Sequence, residues 1–423
     1  MINKNIASLK QSATLLINEK VKELRKQGKK ISHFGFGQSP FPIHSSIVIA
    51  LKENAANNHY LPVAGLEKLR AQIVLFLKKH QNITTKKEAI FIGPGSKELL
   101  YQSILIFECD FLIPKGSWVS YVPQIQSKGG KYRILETNFE DDFKLTAESL
   151  AAFFKKEAPK KQQILILNSP NNPTGAVYTE EEYKALAIVC RKYNVLVFSD
   201  EIYSQLHFSA TSSPSISKYY PEKTIVFGGL SKVFSAGGYR LGYMMLPDEM
   251  QELQNVYKSL FSETFSCVSS PIQFAALKAY TYDASMQQYV ADSAKILKTL
   301  SEFIYKELSA IDIQCTKSRG AFYMTIGFNK HKEQIAKLGI TTSSDLSNYV
   351  LENYQFAMLP GVDFGFNQEA LFFRIAFVDF DGEKVMKAFN SVAEIDVDFI
   401  KTTTPNIFEG VEKIKKFISA LGN

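Results

Sequence analysis

Seven short strand-like runs, most of them apolar, near 89–92, 110–113, 131–136, 163–167, 194–198, 223–227 and 241–246, alternate with stretches of helical periodicity such as 179–193. Strands that recur with helices between them predict a mostly parallel sheet covered by helices on both faces. Four of the runs end in a change of chemistry. After Ala89–Ile92 comes G-P-G-S-K-E-L (93–99), and after Ile164–Leu167 comes S-P-N-N-P-T-G (169–175). After Val195–Phe198 comes S-D-E-I-Y (199–203), and after Thr224–Phe227 comes L-S-K-V-F-S-A-G-G-Y-R-L-G-Y (230–243). Ligands of open α/β sheets bind beyond the carboxyl ends of the strands. Four loops distant in the chain are therefore expected to meet at one site.

The residue types at these ends suit one kind of ligand. A buried lysine gives up its proton readily and can form an imine with a carbonyl, which makes Lys232 a candidate nucleophile. Arg240, eight residues on among glycines, suits a phosphate. Gly95, Ser96 and Lys97 open a predicted helix whose N–H groups also suit an anion, with Ser231 at the facing strand end. A pyridine ring acting as electron sink must keep its nitrogen protonated, which requires a carboxylate beside it; Asp200 is the candidate. Asn172 and Tyr203 offer donors to a phenolic oxygen on such a ring.

Taken in order, these segments resemble the class I/II aminotransferases, the fold-type-I pyridoxal-phosphate enzymes. The likeness starts at F-G-F-G-Q-S-P-F-P (34–42) and runs through Y-L-P-V-A-G-L-E-K-L-R (60–70) and P-K-G-S-W-V-S-Y (114–121). After the four segments above it continues through G-A-F-Y (320–323), P-G-V-D-F-G (360–365) and F-F-R-I-A-F (372–377). The resemblance implies pyridoxal 5'-phosphate as cofactor and Lys232 as the Schiff-base lysine that also moves the substrate α-proton. It implies Asp200 against the ring nitrogen, Trp118 stacked on the ring, and Asn172 and Tyr203 on its phenolate. Gly95, Ser96, Lys97, Ser231 and Arg240 would surround the phosphate, with Tyr60 reaching it from a partner subunit of a homodimer. Arg374 would clamp the substrate α-carboxylate, with the Gly37 backbone, Trp118 and Asn172 beside it. The implied reaction is ping-pong transfer of an amino group from an L-amino acid to a 2-oxo acid.

Each assignment has a plainer alternative. Asp200 and Asn172 are also common turn or cap residues, Trp118 would serve as ordinary core, and Gly37 and Tyr60 would serve as structural residues. Arg374 lies among Phe372, Phe373, Ile375, Ala376 and Phe377, which argues against a solvated face. The chain has only seven arginines, at 25, 70, 133, 191, 240, 319 and 374. A sequence that otherwise relies on lysine has placed Arg240 and Arg374 where a planar fork matters. The same fold and core residues also support carbon–sulfur β-lyases and cyclopropane-forming synthases, and more remotely a non-catalytic sensor. Two departures stand out: Gly229 occupies a place where the family usually has Ser or Thr, and a stretch of about thirty residues (379–408) intervenes before the last helical segment.

The 423 residues suffice for two domains. The expected division is a large cofactor-binding domain over 46–285 and a small α+β domain from 1–45 and 286–423. Helices are expected over 5–27, 46–58, 66–80, 273–310 and 408–421. A hydrophobic content of 45% and a charged content of 22% suit a globular enzyme. The net charge of +7 is scattered in pairs such as Lys78–Lys79, which argues against a nucleic-acid partner. No apolar run approaches a membrane span. Four dispersed cysteines, at 109, 190, 267 and 315, argue against a zinc site and for a reducing, cytoplasmic setting. The charged Lys4, Lys10, Glu19 and Lys20, with no apolar core segment among them, argue against a secretory signal.

Overall fold

The computed structural model describes residues 1–209, 214–392 and 395–422. Its largest sheet has seven strands, all at the positions the apolar runs predict: β1 (Ile90–Gly93), β2 (Asp110–Pro114), β3 (Lys131–Leu135), β4 (Gln163–Asn168), β5 (Leu196–Asp200), β6 (Thr224–Gly229) and β7 (Gly242–Met245). Their spatial order is β1-β7-β6-β5-β4-β2-β3. Neighbours from β6 across to β3 are parallel, whereas β7 runs antiparallel to both β1 and β6. The carboxyl ends of the parallel strands and the start of β7 therefore share one edge.

Apart from the edge strand β3, where exposed and half-buried residues alternate, both faces of this sheet are dry, which is why its other strands read as unbroken apolar runs. Phe111, Ile164, Ile166, Phe198, Ile225 and Phe227 pack with Leu99, Leu100 and Ile104 of the helix Ser96–Ile106 on one face. Leu112, Leu165, Leu167 and Val197 pack with Leu150, Tyr183 and Leu186 on the other. Fully burying a side chain of this size contributes about 1.5–3 kcal/mol. The helix Glu180–Lys192 starts on a capping box in which Thr179 and Glu182 satisfy each other's backbone N–H groups.

A second sheet comprises β8 (Gln314–Cys315), β9 (Tyr323–Gly327), β10 (Leu359–Pro360) and β11 (Phe372–Ala376), in the order β10-β11-β9-β8 and antiparallel throughout. Strand β11 carries Arg374, paired with Thr325 on one side and Leu359 on the other.

Two expected helices are each broken in two. The 5–27 segment forms Lys4–Ala7 and Ala13–Lys26, with Asn3 capping the first piece through its side chain. The 273–310 region divides into Ser270–Thr281 and Ala284–Ser309. There Tyr282 adopts φ +48° and Asp283 caps the second piece by accepting from the Met286 N–H at 3.1 Å. Within 379–408, the helices Gly382–Phe389 and Val397–Thr403 precede the last helix, Pro405–Leu421. Phe380, Met386, Phe389, Ile395 and Phe399 turn back onto the main apolar core, so the described part of that excursion is packed against the body.

Candidate active site

Strand β5 ends at Asp200, opposite Asn168 at the end of β4. Asn168 joins two of the loops. Its Nδ2 donates to the Asp200 carbonyl at 2.8 Å and its Oδ1 accepts from the Asn172 N–H at 2.8 Å. The Asp200 carboxylate, 3% exposed, accepts from the Tyr121 hydroxyl at 2.7 Å and from the Ile202 N–H at 3.3 Å. Burial pushes its pKa up to about 6, against those two donors and the Lys232 charge.

Lys232 follows β6 and reaches the same cavity. Its Nζ donates to the Gly37 carbonyl at 2.7 Å and lies 5.9 Å from the Tyr203 ring centroid and 5.5 Å from that of Phe322. Burial, then the charges of Arg374, Lys97 and Arg240, bring its pKa down to about 8, with Asp200 acting in the opposite sense. An amine so placed gives up its proton far more readily than an ordinary lysine, and the neutral form is the one that attacks a carbonyl.

The acid and the amine border one cavity of about 640 Å³. Eleven of the thirteen expected site residues line it: Gly37, Ser96, Lys97, Trp118, Asn172, Asp200, Tyr203, Ser231, Lys232, Arg240 and Arg374. Gly95 lies immediately behind. It precedes the helix Ser96–Ile106 at φ +97°, and a Cβ there would meet Arg240 Nη2 at 2.6 Å. That contact joins the start of β7 to the end of β1 and puts a guanidinium beside a helix N-terminus, an arrangement suited to a dianion. Tyr60 does not reach the cavity of its own chain; it is 91% exposed.

Arg374 is 2% exposed, with Nη2 donating to the Gly35 carbonyl at 2.5 Å and Nη1 to Asn172 Oδ1 at 3.3 Å. The rings of Tyr323 and Phe364 flank its guanidinium at 4.8 and 5.3 Å, and its buried Nε has no partner among the described residues. Burial draws its pKa down from the ordinary arginine value. Buried donors left over in this way suit an anion arriving from the cavity.

Sequence reasoning did not single out Tyr121, Tyr323 or Asn168. Tyr323 hydrogen-bonds the Tyr203 hydroxyl at 3.0 Å, and Leu15, Phe36 and Gln38 complete the mouth of the cavity. The signals for the two tyrosines were present, because Tyr121 ends P-K-G-S-W-V-S-Y and Tyr323 ends G-A-F-Y. Gly229 also finds its reason. It pairs with Gly242 across β6 and β7, and a Cβ on it would stand 2.9 Å from the Leu241 carbonyl. No hydroxyl-bearing side chain fits there without moving β7.

Comparison with known proteins identifies a family. The family model for aminotransferase class I and II matches residues 29–392. The aspartate aminotransferase of Geobacillus stearothermophilus is 33% identical over 371 residues, covering 86% of this chain and 91% of that protein. That of Bacillus subtilis (strain 168) is 32% identical over 370 residues, with the same two coverages. Among solved structures, the Thermus thermophilus aspartate aminotransferase with maleate superposes at a TM-score of 0.84 with 23% identity, covering 98% of this chain and 99% of that one, and so shares the fold. The chain belongs to the class I and II aminotransferases, enzymes that use pyridoxal 5'-phosphate to transfer an amino group.

Proposed function

We propose that the chain moves the amino group of an acidic L-amino acid to a 2-oxo acid, with Lys232 as the lysine that carries the cofactor aldehyde and relays the substrate proton. The observation that carries this reading is the pairing, across one cavity, of a buried acid of raised pKa with an amine of lowered pKa. The lining fits pyridoxal 5'-phosphate on three counts: an acid for its ring nitrogen, a helix start with Arg240 for its phosphate, and a primary amine for its aldehyde. When bound, the cofactor supplies the electron sink that lets the substrate's Cα–H bond break.

The chain's own groups do the rest. Once the substrate's own amine has displaced it from the aldehyde, the Lys232 Nζ, whose charge burial disfavours, would accept the α-proton and later give it back. Tyr203 and Asn172 hold the phenolate end, and Tyr203 is itself aligned by Tyr323. Ser96, Lys97, Ser231 and Arg240, with Gly95 allowing close approach, hold the phosphate. Arg374 receives the α-carboxylate beside Gly37 and Asn172, and Trp118 covers the ring. The Lys97 ammonium lies 4.9 Å from the Trp118 ring centroid, between the phosphate end and the ring's cover. The aspartate aminotransferase names of the relatives support the preference for an acidic donor. The wide exposure of Tyr60 supports its use in a partner's site, hence a homodimer. The four unpaired cysteines support a cytoplasmic setting.

Purified protein should show the visible absorbance of bound cofactor and convert aspartate plus 2-oxoglutarate faster than other pairs in a donor–acceptor panel. Lys232→Ala should lose both the absorbance band and turnover. Persistence of the band would reject Lys232, and ammonia release without an acceptor would replace transamination by lyase chemistry.

A further inference from the structure

Transamination as just described leaves one buried acid unused. Glu201 follows Asp200, and strand alternation sends its side chain away from the cavity, onto the face of Ser199. It is 2% exposed. Its Oε1 accepts from the hydroxyls of Ser199 at 2.8 Å and Ser215 at 2.5 Å, and its Oε2 accepts from Gln81 Nε2 at 3.0 Å. No cationic side chain pairs with it among the described residues. The titratable groups around it are Asp200 at the same strand end, Tyr243 of β7 and Tyr183 of the helix Glu180–Lys192. Its charge raises the proton affinity of both phenols further beyond what burial does.

Three donors from three chain segments, converging on one carboxylate without a counter-ion, are a costly arrangement for structure alone, since apolar side chains would fill the same space more cheaply. Burial pushes the Glu201 pKa up to about 7; the hydroxyls of Ser215 and Ser199 and the Gln81 amide oppose this, while Asp200 adds to it. A positive ring held by Asp200 would draw Glu201 back toward its ionised form.

We propose that Glu201 is a positioning residue for transamination: its ionised carboxylate, fixed behind Asp200 by Gln81, Ser199 and Ser215, stabilises the protonated ring–carboxylate pair against loss of its proton. This rests on the reading of Asp200 as the partner of the ring nitrogen. Glu201 touches neither cofactor nor substrate; it acts through Asp200.

The structure offers a clean test. In Glu201→Gln the new side-chain oxygen still accepts from Ser199 and Ser215. Its amide faces Gln81, whose Oε1 has no partner and can turn to accept it. The charge goes and the hydrogen bonds stay. With the holoenzyme, the pH midpoint of the cofactor's visible absorbance should fall by about half a unit or more. kcat should fall severalfold with KM unchanged, and apo-protein melting should be no lower than in the parent. Glu201→Asp, which keeps charge but shortens the reach, should keep the midpoint and lower the melting temperature. If Glu201→Gln does not fold, Ser215→Ala removes one donor to the carboxylate, biases Glu201 toward its neutral form and should lower the midpoint likewise. A parental midpoint in the folded variant reduces Glu201 to a structural tie and overturns the proposal. Asp200→Asn run in parallel separates the two readings. A parental midpoint there sinks the Asp200 assignment itself, whereas a shift there with none in Glu201→Gln sinks only the role given to Glu201.

Discussion

Replacing Arg374 with lysine keeps a buried cation but discards the planar fork, and so isolates what the fork is worth. The guanidinium spends Nη2 on the Gly35 carbonyl and only a long 3.3 Å contact on Asn172, leaving Nε without a partner among the described residues. A carboxylate entering beside Tyr323 can therefore take two charge-assisted hydrogen bonds, each worth about 1.5–3 kcal/mol. Lysine can make one of them from a more flexible stem. The expected loss is about 2–3 kcal/mol, which corresponds to about a 30- to 150-fold fall in kcat/KM. Because the same contact would be made to ground state and transition state, most of the fall should come through KM. Steady-state kinetics with an amino acid donor and 2-oxoglutarate would measure it. The cofactor absorbance should stay as in the parent, since none of the phosphate-end residues is touched. A KM within about twofold of the parent, with normal cofactor content, would refute the clamp.

Three further expectations follow from backbone fit and burial. Gly95→Ala forces a side chain into φ +97° and against Arg240 Nη2, so the cofactor dissociation constant, read by dialysis and absorbance, should rise at least about tenfold; unchanged affinity would mean Arg240 is not part of the phosphate seat. Gly229→Ser adds a hydroxyl at the strand end but drives a Cβ to 2.9 Å from the Leu241 carbonyl, so urea unfolding should show a loss of about 1–3 kcal/mol without tighter cofactor binding; a stable variant that binds more tightly would refute the packing argument. The Asp200 carboxyl has its pKa raised from 3.8 to about 6, so native apo-protein holds a proton that the unfolded chain has already released, and the acid's contribution to stability declines as pH rises through that window. Asp200→Asn apo-protein should therefore gain on the parent between about pH 4 and pH 6 and keep a constant lead above it; melting curves offset equally at every pH would contradict this.

The parallel sheet was legible because burial on both faces leaves apolar runs such as Ile164–Leu167 with no polar alternation to confuse them. The four strand-end motifs were legible because cofactor chemistry demands particular groups at particular ends. Tyr121 and Asn168 escaped notice because their importance comes from what they touch: Asp200 is 79 residues from Tyr121 and 32 from Asn168. Glu201 sat in plain view inside S-D-E-I-Y, yet Gln81 and Ser215, which give it meaning, are brought to it only by tertiary folding. The helix breaks failed for a local reason. Ser8–Ser12 keeps the polar and apolar spacing of a helix while its backbone departs from it, and Asp283, a good cap, went unread within a strong periodic pattern.

Strand β7 is the last of its sheet to leave the ribosome, yet it wedges between β1, made about 150 residues earlier, and β6. Until that late insertion, a nascent chain already owns Asp200 and Lys232 but has no fixed place for Arg240 beside Gly95. The turn that carries Lys232 is closed by the same insertion, since the Leu230 N–H donates to the Leu241 carbonyl, so the amine and the anion seat are set together. A phosphate seated there would be gripped firmly only where this strand has locked between its two neighbours.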